Sequence, residues 1–414
     1  MMNRRKFMAS AAAAAAPLGT VSATQTPTGR QRMPDAESFD PWVEILADAI
    51  RNNVRELHRH SGCRLLAVIK NNANGIGLRA IGPILDPMDE VYGLAVARVD
   101  EALALREVGV SKPIVLMAHA SPEEAEVLVR AGVTLSPFHD DALPTLEAIA
   151  KRVGHPVSVH PYIDTGMNRV GMPYRRALPW LKALAASPGV TIDGTYTMFS
   201  GAKRNGESFD ETHLARFLTL VDEARTSGIE LGLLHGAPSG QVTSLPSSFQ
   251  LDLIRPGGAI YGLVANRTDP EGREIMDIQT VFRLRARVSR VEELEPGDGV
   301  SFGHSYIAER PTWIAALPIG HTDGYPRPAQ GQEVDGKTFA RIGDRLYPII
   351  AIVSSNHTIV EIGDEKTVSV GDVATLIGPD APEIEPRAVA VATGFDREYW
   401  IMTKLNALLT RKVV

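Results

Sequence analysis

The sequence predicts an α/β protein: a (β/α)8 TIM-like barrel over residues 42–278, then a β-rich domain over 279–414 that closes with a helix. Three observations carry this expectation. The 414 residues exceed what one hydrophobic core usually supports, so two domains are the natural division. Short β-rich runs alternate with helical patterns up to about residue 278, which argues a parallel sheet, and their number argues closure into a barrel. Beyond that point helical periodicity gives way to alternating strands separated by turns such as Glu295-Pro296-Gly297-Asp298-Gly299.

Taken in order, residues 1–23 stand outside the fold. Asn3-Arg4-Arg5-Lys6-Phe7-Met8, an alanine run from Ala11 to Ala16, and Val21-Ser22-Ala23 read as a twin-arginine signal peptide with a small-residue cleavage site. Its apolar run is too short and too weakly hydrophobic for a membrane span. Residues 24–41, rich in Thr, Pro, Gly and Gln, read as a linker. A helical pattern runs from Val43 to Leu57. Strands are expected at Arg64–Lys70, Val91–Val96, Pro113–Met117, Val133–Phe138, Val157–Asp164, Val190–Phe199, Leu231–Gly236 and Leu253–Tyr261. Helices are expected at Pro122–Ala131, Ala142–Val153, Arg176–Ala186 and Glu211–Ser227, with Pro122 and Pro144 in first turns. An open doubly wound sheet is the alternative, but no G-x-G-x-x-G follows the first strand. The stretch Arg397–Arg411 is apolar at helical spacing.

Composition narrows the function. Hydrophobic content is 44% and charged content 22%, as in soluble globular proteins, and a net charge of −6 gives no basic surface for nucleic acid. The single cysteine, Cys63, excludes an intramolecular disulfide and a cysteine-based zinc site, and reads as an inert core thiol. Lys70 ends the first barrel strand and is followed by Asn71-Asn72-Ala73-Asn74-Gly75-Ile76-Gly77. A lysine there points from the carboxyl end of the barrel, where barrel enzymes place their sites. Burial and nearby cations would free its amine for Schiff-base formation. By spacing alone, a catalytic lysine and a solvated strand-end lysine both remain open.

The run Ala67-Val68-Ile69-Lys70-Asn71-Asn72-Ala73-Asn74-Gly75-Ile76-Gly77 resembles the cofactor-lysine motif of the alanine racemase family. The likeness continues at Tyr92-Gly93-Leu94-Ala95-Val96-Ala97, Asp100-Glu101-Ala102, Asp164-Thr165-Gly166-Met167-Asn168-Arg169-Val170-Gly171, His235-Gly236-Ala237-Pro238-Ser239 and Ile254-Arg255-Pro256-Gly257-Gly258. In the second domain it covers Val300-Ser301-Phe302-Gly303-His304-Ser305-Tyr306 and Gly320-His321-Thr322-Asp323-Gly324-Tyr325. The resemblance implies pyridoxal 5′-phosphate (PLP) on Lys70, a free amino acid as substrate, and a head-to-tail homodimer whose sites use both chains. It implies Arg255 facing the pyridine nitrogen. Because a guanidinium is too weak an acid to give up a proton, the ring nitrogen then stays unprotonated and the cofactor is a weaker electron sink. Ser239, Gly257 and Gly258 would cradle the phosphate, Arg169 would lie near the phenolic oxygen and the substrate carboxylate, and His235 would hydrogen-bond near Arg255.

The pattern also breaks. Phe302 stands where the family has the tyrosine that carries the opposite-face proton from the second chain, and phenylalanine has nothing to ionise. Asn74 replaces a phosphate-binding tyrosine, Met198 a histidine stacked on the ring, Tyr162 a lysine that is often carbamylated and supports Arg169, and His321 another tyrosine. Ala392-Thr393-Gly394-Phe395 offers no tyrosine to the phosphate. Three readings follow. One is a PLP-dependent amino-acid racemase (an isomerase) with His304 or His321 as replacement proton carrier. A second is a PLP lyase or decarboxylase with Lys70 as sole base. A third is a non-catalytic binding homologue. The first is adopted, in an enzyme exported to the periplasm and serving D-amino acid metabolism.

Overall fold

The computed structural model describes residues 39–204, 207–244, 246–263, 275–327 and 338–414. The expected signal peptide, and the expected linker up to residue 38, lie outside them. The first element is a strand, not a helix. Trp42–Ile45 (β1) is buried along its whole length, and helix α1 begins only at Ala47 and runs to Ser61. β1 pairs antiparallel with Phe282–Arg287 and parallel with Thr410–Val413, so it belongs to the second domain's sheet although the sequence assigned it to the barrel. Its aromatic and β-branched residues suit a pleated surface, but the partners that make it a strand are remote in sequence and leave no mark on local periodicity.

The barrel strands follow: β2 (Arg64–Val68), β3 (Val91–Val96), β4 (Ile114–Leu116), β5 (Val133–Leu135), β6 (Val157–Val159), β7 (Val190–Ile192), β8 (Gly194–Tyr196), β9 (Leu233–Pro238) and β10 (Leu253–Arg255). Every pairing among them is parallel. β7 and β8 are one run interrupted at Asp193; the first borders β6 and the second borders β9, while β10 returns to β2, so the sheet closes on itself. Side chains alternate, as strand geometry requires. Leu66, Ala95, Val115 and Leu253 form one cluster, packed against Val68, Tyr92, Met117 and Leu233. Their strand neighbours, such as Leu65, Leu94, Ile114 and Ile254, join the main core with helix residues such as Ile81, Leu105 and Leu128.

The outer helices include α2 (Leu78–Leu85), α3 (Val99–Glu107), α4 (Pro122–Arg130), α5 (Ala142–Val153), α6 (Tyr174–Ala186) and α7 (Phe209–Thr226). The start of α4 follows from its sequence. Ser121 accepts from the Glu124 N–H, Glu124 accepts from the Ser121 N–H, and Pro122 occupies the first helical position.

The second domain's sheet adds β11 (Phe282–Arg287), β12 (Arg290–Leu294), β13 (Thr312–Leu317), β14 (Phe339–Ile342), β15 (Arg345–Ile350), β16 (Thr358–Gly363), β17 (Val373–Ile377) and β18 (Thr410–Val413). Their order is β12-β13-β16-β15-β14-β17-β11-β1-β18. The expected terminal helix is corrected: only Tyr399–Thr403 is helical, and the chain then turns into β18 beside β1. Thr410 and Val413 suit a strand, and the apolar spacing upstream reflects packing of Ile401, Met402, Leu405 and Leu409 into the core. No helix among the described residues is long and apolar enough to cross a membrane.

Candidate active site

The sequence-predicted residues of the first domain gather at the carboxyl ends of the barrel strands, because parallel strands all finish on the same rim. Lys70 lies two residues beyond β2, His235 within β9, Ser239 just after β9, and Arg255 at the end of β10. The chain after Lys70 takes an unusual path. Asn71, Asn72 and Ala73 have φ of 57°, 53° and 53° with ψ of 49°, 46° and 50°, and Asn74 has φ 53°. This is a left-handed turn, a region asparagine tolerates better than most residues. Buried Glu101 holds it, accepting from the Asn72 N–H at 2.8 Å and the Ala97 N–H at 3.3 Å, while Asn72 Oδ1 accepts from the Leu78 N–H at 2.8 Å. Within a single chain Lys70 itself is exposed, so the burial expected to free its amine is not supplied by its own chain.

Arg255 is 2% exposed. Its Nη2 donates to the carbonyls of Thr197 and, at 3.0 Å, Gly236, and its guanidinium lies 4.7 Å from the Tyr196 ring centroid. Its Nε and Nη1 are buried with no hydrogen-bond partner among the described residues. Burial pulls its pKa down to about 10, so it stays a cation at neutral pH. A buried charged donor edge with nothing to donate to is costly, and it marks a place where an acceptor belongs.

Beside it stand His160 and His235, with His160 Nδ1 2.9 Å from His235 Nε2. Burial first, and then the charge of Arg255, lowers both: His160 to about 4, His235 well below its usual value. The pair is therefore neutral, with one ring donating to the other. Tyr162, Tyr196 and His235 stack at centroid separations of 4.5 and 4.9 Å and interplanar angles of 16° and 15°. Burial pushes the Tyr162 phenol up, partly offset by the charges of Arg255 and Arg169. Arg169 is exposed, on a loop shaped by Asp164, which accepts from the Gly166 and Asn168 N–H groups at 2.9 and 3.1 Å.

Ser239 Oγ accepts from the Gly257 N–H at 3.0 Å and the Ala259 N–H at 3.1 Å. Gly257 precedes the single turn Gly258–Tyr261. With both N–H groups accepted at its oxygen, the Ser239 hydroxyl keeps its own proton to donate, and beside two glycines it makes a cradle suited to a phosphate oxygen.

The two histidines of the second domain are placed otherwise. His304 is exposed, and its ring folds back over Gly299, where an added Cβ would meet its Cγ at 2.3 Å. His321 is half-buried on a turn whose N–H donates to the Ser354 carbonyl at 3.0 Å, with Nε2 3.5 Å from Ser355 Oγ. Among the described residues, neither shares a hydrogen bond with Lys70. Phe302, beside His304, is 76% exposed.

The chain matches the alanine racemase N-terminal domain over residues 45–265 and the alanine racemase C-terminal domain over 281–413. It belongs to the alanine racemase family. Alanine racemase of Desulforamulus reducens is 30% identical over 370 residues, 88% of this chain and 97% of that protein. Alanine racemase of Deinococcus radiodurans is 32% identical over 372 residues, 90% of this chain and 98% of that protein. Among solved structures, alanine racemase of Clostridium difficile 630 superposes with a TM-score of 0.80 at 22% identity, covering 91% of this chain and 96% of that one. The histidine racemase of Leuconostoc mesenteroides gives 0.79 at 22% identity, covering 90% and 98%.

As a member of the alanine racemase family the chain is a PLP-dependent amino-acid racemase, and its residues fit the cofactor. The unpaired donor edge of Arg255 suits a pyridine nitrogen that carries a lone pair and no proton. The Ser239–Gly257 cradle suits the phosphate. No cluster of three or more metal-binding side chains occurs among the described residues. Sequence reasoning missed several groups. Glu101 lies in the Asp100-Glu101-Ala102 run, which by itself shows no role for it, and His160 is a polar residue inside an otherwise β-like run. Tyr196, behind Arg255, left no local signal.

Proposed function

We propose that this chain interconverts the two enantiomers of a free amino acid, using PLP anchored by Lys70, in a homodimer that operates in the periplasm. The carrying observation is the buried, unpaired Nε and Nη1 edge of Arg255. PLP, once bound, supplies an electron sink conjugated to the substrate's Cα; the protein's residues do the rest. Lys70 holds the cofactor and moves a proton at Cα on one face. Arg255 would hold the ring nitrogen through its unpaired donor edge without protonating it, which would limit electron withdrawal and favour simple proton removal and return over bond-breaking side reactions. Arg169 receives the substrate carboxylate. Ser239, Gly257 and Gly258 fix the phosphate, and His235, oriented by His160, backs Arg255.

The opposite face needs a second proton carrier, since Phe302 has none. His304 and His321 are its candidates, each supplied across a dimer interface. The exposure of Lys70 and Phe302 on one chain supports a site completed by a second copy. Relatives are named alanine racemase and one structural neighbour histidine racemase, so substrates from alanine to a bulkier or polar amino acid are the class to screen. The Asn3–Met8 pattern supports export.

Incubation with single amino acids in heavy water, read by chiral chromatography and mass, is the test. Inversion with deuterium at Cα is expected. Deuterium without inversion would mean one-base exchange by Lys70, and loss of carbon dioxide or ammonia would replace the racemase reading. His304→Ala or His321→Ala should abolish inversion while PLP stays attached. If neither does, both proton-carrier assignments are wrong.

A further inference from the structure

The left-handed turn after Lys70 exposes backbone carbonyls at its far end, and an unexpected side chain takes them. Arg411 lies on β18, opposite Val43 of β1. Its Nη2 donates to the Gly75 carbonyl at 2.9 Å and its Nε to the Ile76 carbonyl at 3.2 Å. Its Nη1 turns the other way, to the carbonyls of Asn406 at 2.8 Å, Ala407 at 3.0 Å, and Leu409. One planar guanidinium thus bridges the cofactor-lysine loop of the barrel to a turn of the second domain.

Two further features show that this contact is built. Gly75 has φ 95°, and a Cβ there would lie 2.1 Å from the Met402 carbonyl oxygen. Gly77 has φ 130°, and a Cβ there would meet Arg411 Cγ at 3.1 Å. Both glycines permit the loop to lie directly against the C-terminal segment. Arg411 makes no salt bridge among the described residues; carbonyl dipoles alone satisfy it. A fork of five donors is what this arrangement needs, and lysine's single ammonium cannot span both sets of carbonyls. Burial lowers the Arg411 pKa, in keeping with a desolvated contact.

We propose that Arg411 is a positioning residue for Lys70: by capping the carbonyls of Gly75 and Ile76 it fixes the left-handed turn that aims the lysine amine at the cofactor and substrate. This rests on reading Lys70 as the PLP lysine. Arg411 touches no reacting atom. It acts through the loop, with Glu101 gripping the same loop from its other end.

The test compares purified wild type, Arg411→Met, Arg411→Lys and the exposed control Arg397→Gln. Three measurements are made on each. The first is amide hydrogen exchange of residues 71–77 in the PLP-free protein. The second is the visible absorbance band of bound PLP and the pH midpoint of that band. The third is kcat and KM for the amino acid that the wild type racemises. Expected are faster exchange at 71–77, a shifted midpoint, and a kcat lowered about 10- to 100-fold with KM little changed, as for a misplaced reacting group. Arg411→Lys should lie between Arg411→Met and wild type. Should Arg411→Met fail to fold, Arg411→Lys carries the decision. Unchanged exchange, midpoint and kcat in that variant, matching Arg397→Gln, would overturn the proposal. Lys70→Ala is measured alongside: if it keeps the wild-type band, the PLP-lysine reading has failed, independently of Arg411.

Discussion

Arg255 carries an internal conflict. A guanidinium removed from water with two nitrogens unpaired costs several kcal/mol, which its two charge-assisted bonds to Thr197 and Gly236, about 1.5–3 kcal/mol each, offset only about evenly. The PLP-free protein should therefore tolerate Arg255→Met without loss of stability, while the stabilisation conferred by added PLP shrinks. Urea unfolding with and without PLP checks both arms; a destabilised PLP-free variant would contradict the account. The histidine pair makes a second prediction. His160 and His235 have folded-state pKa values depressed below 6.5, so below that pH the unfolded chain binds protons that the folded chain does not. Their contribution is present above about 6.5 and is lost as pH falls toward about 4. For His160 that amounts to about 3 kcal/mol, to order of magnitude. Melting temperature against pH should fall through this window, and His160→Phe should flatten the fall.

At the level of elements, the Lys70 turn depends on Gly75. Gly75→Ala places a methyl group against the Met402 carbonyl at a positive φ, and should cost roughly 2–4 kcal/mol, read by denaturant midpoint. Much of the element pattern was legible beforehand. Val91–Val96 and Ala142–Val153 appear with the bounds that alternation and helical spacing predict, since each is specified by its own residues. β1 and β18 were not legible. β1 is a strand because of β11 and β18, and β18 because of β1, and pairing across hundreds of residues leaves no local period. The site divides the same way. Lys70, Ser239 and Arg255 were legible as candidates because motif order singles them out and strand ends carry them. His160, Tyr196 and Arg411 meet their partners only in the folded chain, and within one chain neither second-domain histidine shares a hydrogen bond with Lys70 among the described residues.

For the whole molecule, the exposed Phe302 loop is the decisive surface. In the proposed homodimer Phe302, 76% exposed on one chain and two residues from His304, would lie against the partner. Phe302→Asp should weaken self-association by sedimentation and make specific activity fall on dilution, with PLP-free folding unaffected. A protein that stays monomeric at all concentrations yet racemises would remove the shared-site reading. Export is tested separately, by fusing residues 1–38 to a reporter in cells with and without a twin-arginine translocase.

The carbonyls that Arg411 caps belong to Gly75 and Ile76, and Arg411 is made 336 positions after Gly75. During synthesis the barrel strands emerge first, with the lysine in place in the chain but its supporting turn still ungripped. The guanidinium is added only after every barrel strand has been made. On this reading, capture of PLP in its final geometry waits for residue 411, and a chain halted between the barrel and Arg411 holds its cofactor poorly.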